Sequence, residues 1–235
     1  MKDLFGKAIL DYQTNNSPED IITETSISEA DEMPVSYLFR NYNEMPELEQ
    51  KALQLAKGSV LDVGCGAGSH TLALQNEMNL DVTAIDISEN AVRACQLRGI
   101  GNVKVANILD LDEENKFDTI LLLMNGTGIF GTIKEADKYL QKLKSLLNEE
   151  GQILIDSSDL IYMYDQDEDG AYCIPADGYY GELSFTLQYK GVTEDTFPWL
   201  YLDYNTLQNA AIANGLQCEL LLEGEHFDYL AKLSI

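Results

Sequence analysis

No stretch of the 235-residue chain approaches the ~20 consecutive apolar residues of a membrane helix, so no helical membrane span is expected. The opening residues, MKDLFGKAILDYQTNN, hold neither a long apolar region nor a small-residue cleavage site, and no secretory signal is expected. Cysteine is sparse. Cys65, Cys95, Cys173 and Cys218 are scattered without CxxC spacing, which reads as free thiols in a reducing cytoplasm. Basic residues are scarce too: 15 Lys and Arg stand against 40 Asp and Glu, a net charge of −25. Such a surface repels phosphate backbones and disfavours a nucleic-acid partner. Its plainest use is solubility.

What is present suits one α/β domain, since a single core serves up to ~250–300 residues. Residues 1–45 are polar and acidic, and read as an N-terminal cap with short helices. Residues 46–235 read as the main domain. Within it a helix is expected from Pro46, with an apolar face of Leu48, Ala52, Leu53 and Ala56 and an end at Gly58. Apolar strands and amphipathic helices then alternate. SVLDV, DVTAI, VKVA, FDTILLLM and QILID read as five strands. Ser88 caps the helix after the second strand. Thr132 and Glu135 form a capping-box pattern, and Gly151 is expected to end the helix they open. This alternation predicts a parallel sheet with helices on both faces. An antiparallel insert is expected within about residues 160–203, and CELLLEG and DYLAKLSI close the chain as a hairpin.

The chemistry concentrates after the first of these strands, in LDVGCGAGSH. Gly64, Gly66 and Gly68 let the chain turn tightly and let a ligand approach the backbone at the strand ends, where open α/β sheets bind ligands. The spacing is G-x-G-x-G, with Ser69 where a dinucleotide fingerprint has its third glycine, and no lysine supplies a Walker loop. Asp86 ends the second strand as an acid able to accept hydrogen bonds from both hydroxyls of a ribose. The pattern favours an adenosine-like ligand without a pyrophosphate.

VLDVGCGAGSHTLAL, then VTAIDIS, then ANILDLD ahead of FDTILLLMNGTG, resembles the class I S-adenosylmethionine-dependent methyltransferases. The resemblance covers about residues 58–160 by motif. It implies a Rossmann-like methyltransferase fold: a seven-stranded, mostly parallel sheet with a C-terminal β-hairpin. It also implies S-adenosyl-L-methionine as cofactor. In that family pattern the loop through Gly64, Cys65, Gly66 and Gly68 lies against the methionine and ribose, and Asp62 holds the amino group. Asp86 binds the ribose hydroxyls and Ile87 packs on the adenine. Asn107, where the family usually has Asp, faces the adenine amino group beside the backbone of Ile108. Met124 or Asn125 lies at the sulfonium end, and a cap arginine, here Arg40, pairs with the methionine carboxylate.

A sulfonium methyl is already activated, so the protein's task is alignment and exclusion of water, with a base needed only for an acceptor that keeps its proton. The acceptor pocket is expected above strands four and five, under the cap, with Tyr37, Phe39 and Tyr42 as cap side chains that close over it. Asp156, Asn125 and His226 are the candidates for catalysis. Asp156 and Trp199 are further candidates to line the acceptor. His70 is a second lone histidine that titrates near neutrality. Asn125 lacks the Asn-Pro-Pro-Tyr context of amine methylation in DNA. DQDEDG, residues 165–170, starts like a calcium loop but has Ala176 where the twelfth-position Glu belongs, so no metal is expected. The expected function is methyl transfer to a small molecule. The alternatives are a non-catalytic or regulatory cofactor binder and an aminopropyltransferase-like enzyme, and a basic protein acceptor is also open.

Overall fold

The computed structural model describes residues 2–235. The chain starts with helix α1 (Leu4–Gln13) and a hairpin of β1 (Ile21–Thr25) and β2 (Ser28–Met33). Two short 3₁₀ turns, Val35–Phe39 and Tyr42–Glu44, lead into α2 (Glu47–Leu55). Then follow β3 (Ser59–Val63), α3 (Ser69–Asn76), β4 (Asp81–Asp86), α4 (Glu89–Leu97), β5 (Val103–Val105), β6 (Phe117–Leu122), α5 (Ala136–Ser145) and β7 (Leu147–Ser158). The last third holds β8 (Glu182–Tyr189), β9 (Val192–Thr193), β10 (Phe197–Leu200), α6 (Tyr204–Ala213), β11 (Gln217–Glu223) and β12 (Asp228–Ser234).

Seven strands form the main sheet in the order β11-β12-β7-β6-β3-β4-β5. The five strands from β7 to the β5 edge are parallel, and β12 runs antiparallel to β7 from Asp228↔Ser158 to Ser234↔Gln152. The strands are apolar on both faces, as a doubly covered sheet requires. Leu61, Ile120, Ile153 and Ile155 pack with Leu140 and Leu143 of α5 and Leu207 and Ala211 of α6. Their neighbours Val60, Leu121 and Leu154 point the other way, onto Leu48, Ala52 and Leu53 of α2 and Ala73 and Leu74 of α3. This is the period-two alternation of a strand with both faces buried.

Ser88 caps α4, its hydroxyl accepting from the Ala91 N–H at 2.9 Å. The start of α5 differs from expectation. The Thr132 side chain makes no capping bond, and the Ile133 N–H donates instead to Glu182 Oε1 of β8 at 2.7 Å. Gly151 ends no helix. It lies inside β7, where a Cβ would come within 2.9 Å of the Phe117 carbonyl, beside a shift in the β6–β7 register. The glycine lets two strand backbones approach.

The cap contains the expected helical turns and adds a hairpin. β1 pairs with both β2 and β8, and β8 pairs with β9 and β10, so the cap and the insert share one antiparallel sheet. Leu4, Ala8, Ile21, Val35, Leu187 and Tyr189 form its core. Among the described residues no helix is long and apolar enough to cross a membrane.

Candidate cofactor and acceptor site

The C-terminal ends of the parallel strands form one edge. Along it stand, in spatial order, Asn107 beyond β5, Asp86 on β4, the glycine loop after β3, Met124 and Asn125 after β6, and Asp156 on β7. The loop folds back onto β4, with the Gly64 and Cys65 N–H groups both donating to the Ile85 carbonyl at 2.9 and 3.0 Å. All three glycines have positive φ, at 72°, 53° and 82°. Their surroundings differ. A Cβ on Gly64 would meet nothing within 4 Å, and one on Gly66 only the tip of Ile9 at 3.9 Å on the side-chain side. A Cβ on Gly68 would collide with Ile100 at 2.3 Å and Cys95 at 2.9 Å. Gly64 and Gly66 therefore border open space that a ligand can enter, while Gly68 serves packing. Cys65 is buried with its sulfur 3.9 Å from that of Cys95, so its side chain faces the interior.

Asp86 is the hub of this edge. Its Oδ2 accepts from the Gly66 N–H and its Oδ1 from the Ser88 N–H, both at 2.8 Å. A carboxylate has about four lone-pair sites, so two remain for a diol. Burial raises its pKa above the ordinary aspartate value. Ile87 stands 59% exposed beside it, an apolar face with nothing yet to cover. Asn107 is exposed and caps the following 3₁₀ turn by accepting from the Leu109 N–H at 3.0 Å, and Ile108 is buried. The open glycine cradle, the bridging acid and the bare apolar side chain fit an adenosyl ligand.

Asp62 lies behind the loop, buried, and accepts from the Thr71 hydroxyl at 2.5 Å. Burial raises its pKa. Beside it is a charged chain that the sequence did not disclose. Glu49 of α2 accepts from Arg40 Nη2 at 2.6 and 2.7 Å and bonds His70 Nε2 at 2.7 Å. Burial opposes the charge on each partner, yet the hydrogen bond from His70 lowers the Glu49 pKa. The bond to Glu49, with the field of Asp62, raises that of His70. Arg40 is thus already paired with Glu49. It also donates to the Tyr37 carbonyl, stacks on the Tyr37 ring at 3.6 Å and comes within 3.9 Å of the Met124 sulfur. Its Nε is buried without a partner. The signal for this chain was Glu49 itself, an acid on the same helix face as Ala52 and Leu53.

The acceptor candidates separate. Tyr37 and Phe39 line a groove of 540 Å³ with Tyr12 and Arg40. Phe39 packs on Tyr12 at 4.6 Å and under Arg98 at 4.8 Å. Tyr42 turns away, its hydroxyl accepting from Gln54 of α2 at 2.7 Å. Trp199 lies against Gly128, where a Cβ would meet its ring at 2.1 Å, and so packs the insert onto the turn after β6. The Asn125 side chain is occupied: it donates to the Leu200 carbonyl at 3.2 Å and accepts from the Ser157 hydroxyl at 2.9 Å. His226 is exposed in the β11–β12 turn. Asp156 is at the edge, accepting from the Met124 and Gly126 N–H groups at 3.0 and 2.8 Å. Tyr201, which the sequence reading missed, sits close by. Burial, then Tyr162 and Asp156, push its hydroxyl pKa up. Tyr162 stacks on Phe227 at 4.7 Å, both exposed at the same end of the sheet. In the acidic loop the Asp167 carboxylate accepts from the Asp169 and Ala171 N–H groups of its own turn. Among the described residues no group of three or more His, Cys, Asp or Glu is placed to hold a metal.

Comparison with known proteins bears on this edge. A family model described as a methyltransferase domain matches residues 55–185. The chain is similar to the crystal structure of a SAM-dependent methyltransferase from Bacteroides fragilis in complex with S-adenosyl-L-homocysteine. The identity is 44% and the TM-score 0.91, over 100% of this chain and 95% of that one. More distant likenesses show the fold alone. Streptomyces venezuelae DesVI is 17% identical over 85% of this chain and 92% of that one, with a TM-score of 0.56. The CcbJ methyltransferase from Streptomyces caelestis is 16% identical over 82% and 94%, with a TM-score of 0.61. No curated protein matches the chain.

Proposed function

Because this chain belongs to the S-adenosylmethionine-dependent methyltransferases, we propose that it methylates a small-molecule amine seated over the end of β7. The cofactor would lie across β4, β3 and β6, with Asp86 on the ribose, Gly64 and Gly66 against its length, Ile87 on the adenine and Met124 at the sulfonium end. The observation that carries this placement is the open space in front of Gly64 and Gly66, bounded by the Asp86 carboxylate. The bound cofactor supplies an activated methyl group. The chain's own residues hold the acceptor in line and keep water out.

Charge supports an amine. Every charged residue from 151 to 189, which covers most of β7 and the insert as far as the end of β8, is acidic; Lys190 follows. Arg40, the cation that reaches Met124, is neutralised by Glu49. A carboxylate or phosphate acceptor would meet no free positive charge there, whereas an ammonium would be drawn to the edge and would rest on the Tyr162–Phe227 stack. It would give its proton to solvent, and the free amine lone pair would then take the methyl as the S–C bond breaks and S-adenosylhomocysteine leaves. The test is release of S-adenosylhomocysteine from protein supplied with S-adenosylmethionine and matched amines, alcohols and carboxylic acids. Turnover should favour the amines and weaken as salt is raised. Turnover confined to the acids would contradict the assignment.

A further inference from the structure

Two successive non-glycine residues beyond β6 have left-handed backbone: Met124 at φ 65° and Asn125 at φ 60°. L-residues rarely adopt that region, and it persists where the surroundings impose it. Asparagine tolerates it, and Asn125 is anchored by its own side chain to Leu200 and Ser157. Methionine has no such means. What holds Met124 is Asp156, one oxygen accepting from the N–H of Met124 and the other from that of Gly126. The turn has no slack, since a Cβ on Gly126 would come within 2.5 Å of Leu122 and 3.3 Å of Ile155. Met124 itself is 37% exposed and reaches toward Arg40 of the cap. It therefore stands in the gap between the cap and the sheet edge.

A carboxylate with both oxygens on backbone N–H groups already shapes the chain before any acceptor arrives. We propose that Asp156 is the positioning residue of the transfer site, locking the Met124–Asn125 turn in the left-handed form that borders the sulfonium end of the cofactor. This rests on the cofactor placement given above.

The lock works only while Asp156 is ionised. Burial pushes its pKa up to about 6, against the pull of the N–H groups it accepts from, with Glu49 adding to the rise. Protonation turns one oxygen into a donor and leaves one of the two N–H groups without its acceptor. Cofactor affinity should therefore fall as pH drops through about 6. Burial also raises the pKa values of Asp86 and Asp62, so the acid loss assigned to Asp156 is the part that Asp156→Asn removes. The remaining groups facing this site do not imitate that loss. Tyr201 and Tyr229 have raised pKa values and stay protonated, and Glu49 has a lowered one and stays ionised. Arg40 is held in its ion pair with Glu49. His70 gains charge toward low pH, which tightens its bond to Glu49.

The experiment is calorimetry of S-adenosylhomocysteine and S-adenosylmethionine binding between about pH 5 and 8, on the native chain and on Asp156→Asn. Amide hydrogen exchange at residues 124–126 of the ligand-free proteins accompanies it. Both ligands should bind the native chain about tenfold more weakly at the acid end, the scale of one hydrogen bond to a charged group. Asp156→Asn should be comparably weak at neutral pH and fall less steeply through pH 6 than the native chain, with faster exchange at Met124 or Gly126. The native titration keeps the test intact if the variant folds poorly. Affinity for S-adenosylhomocysteine that is unchanged by acid or by the substitution would overturn the proposal. So would a pH step confined to S-adenosylmethionine, since that would make Asp156 only a counter-charge to the sulfonium. A native chain that binds neither ligand at any pH would overturn the cofactor placement itself.

Discussion

Gly64, Gly66 and Gly68 share a backbone conformation but not a role. Gly64 and Gly66 border open space, while the α-hydrogen of Gly68 points at Cys95 and Ile100. The substitutions should therefore separate stability from binding. Gly68→Ala adds overpacking to the cost of positive φ and should lower stability by about 3 kcal/mol in urea denaturation. Gly64→Ala meets no atom and should cost about 1 kcal/mol, the backbone term alone, while weakening S-adenosylhomocysteine binding. Equal stability losses would mean the loop packs differently. The glycine turn after β3 and the acid that ends β4 were legible in sequence because few other residue types can make that turn at the end of a strand. The individual duties of the glycines were not legible, because the atoms that set Gly68 apart come from Cys95 of α4 and from Ile100 after it. The same limit hid the occupation of Asn125, whose partners are Leu200 and Ser157, and the pairing of Arg40 with Glu49.

At the scale of elements, Glu49 joins three pieces of chain. It lies on α2, accepts from Arg40 at the end of the cap's first turn, and bonds His70 at the start of α3, directly behind the glycine loop. Glu49→Gln leaves two buried cations facing a neutral amide and should cost about 3 kcal/mol in urea denaturation. The pH dependence has a definite sign. His70 has a raised pKa when folded, so its stabilisation is complete below the ordinary histidine value near 6.5 and fades as pH rises through the folded value. The native chain should thus lose stability on the alkaline side, and Glu49→Gln should lose less; parallel profiles would contradict the pairing. Element order was largely legible wherever local signals agreed, as with the Ser88 cap of α4. The β1–β2 hairpin was not. β2 has no buried position, and the other partner of β1, β8, follows more than 150 residues later. Thr132 misled for a related reason: a side chain from β8 takes the N–H that a local cap would have taken.

Across the whole molecule, a parallel sheet presents one functional edge, and a second sheet built from both the N-terminal segment and the insert lies beside it. Cap and insert read as separate additions in the sequence. The ladder between β1 and β8 makes them one structure, which ties the cap that carries Arg40 to the insert that carries Trp199. The charge of −25 acts at this scale as well, favouring approach of cations over anions. The central claim is that the glycine edge holds an adenosyl sulfur ligand. The measurement that tests it most directly is calorimetry of the native chain and Asp86→Ala with S-adenosylmethionine, S-adenosylhomocysteine and NAD. Binding of both sulfur ligands, none of NAD, and at least several-fold weaker binding by a folded Asp86→Ala are expected, since two ribose hydrogen bonds go with the carboxylate. Binding of NAD alone, or undiminished affinity in Asp86→Ala, would contradict the account.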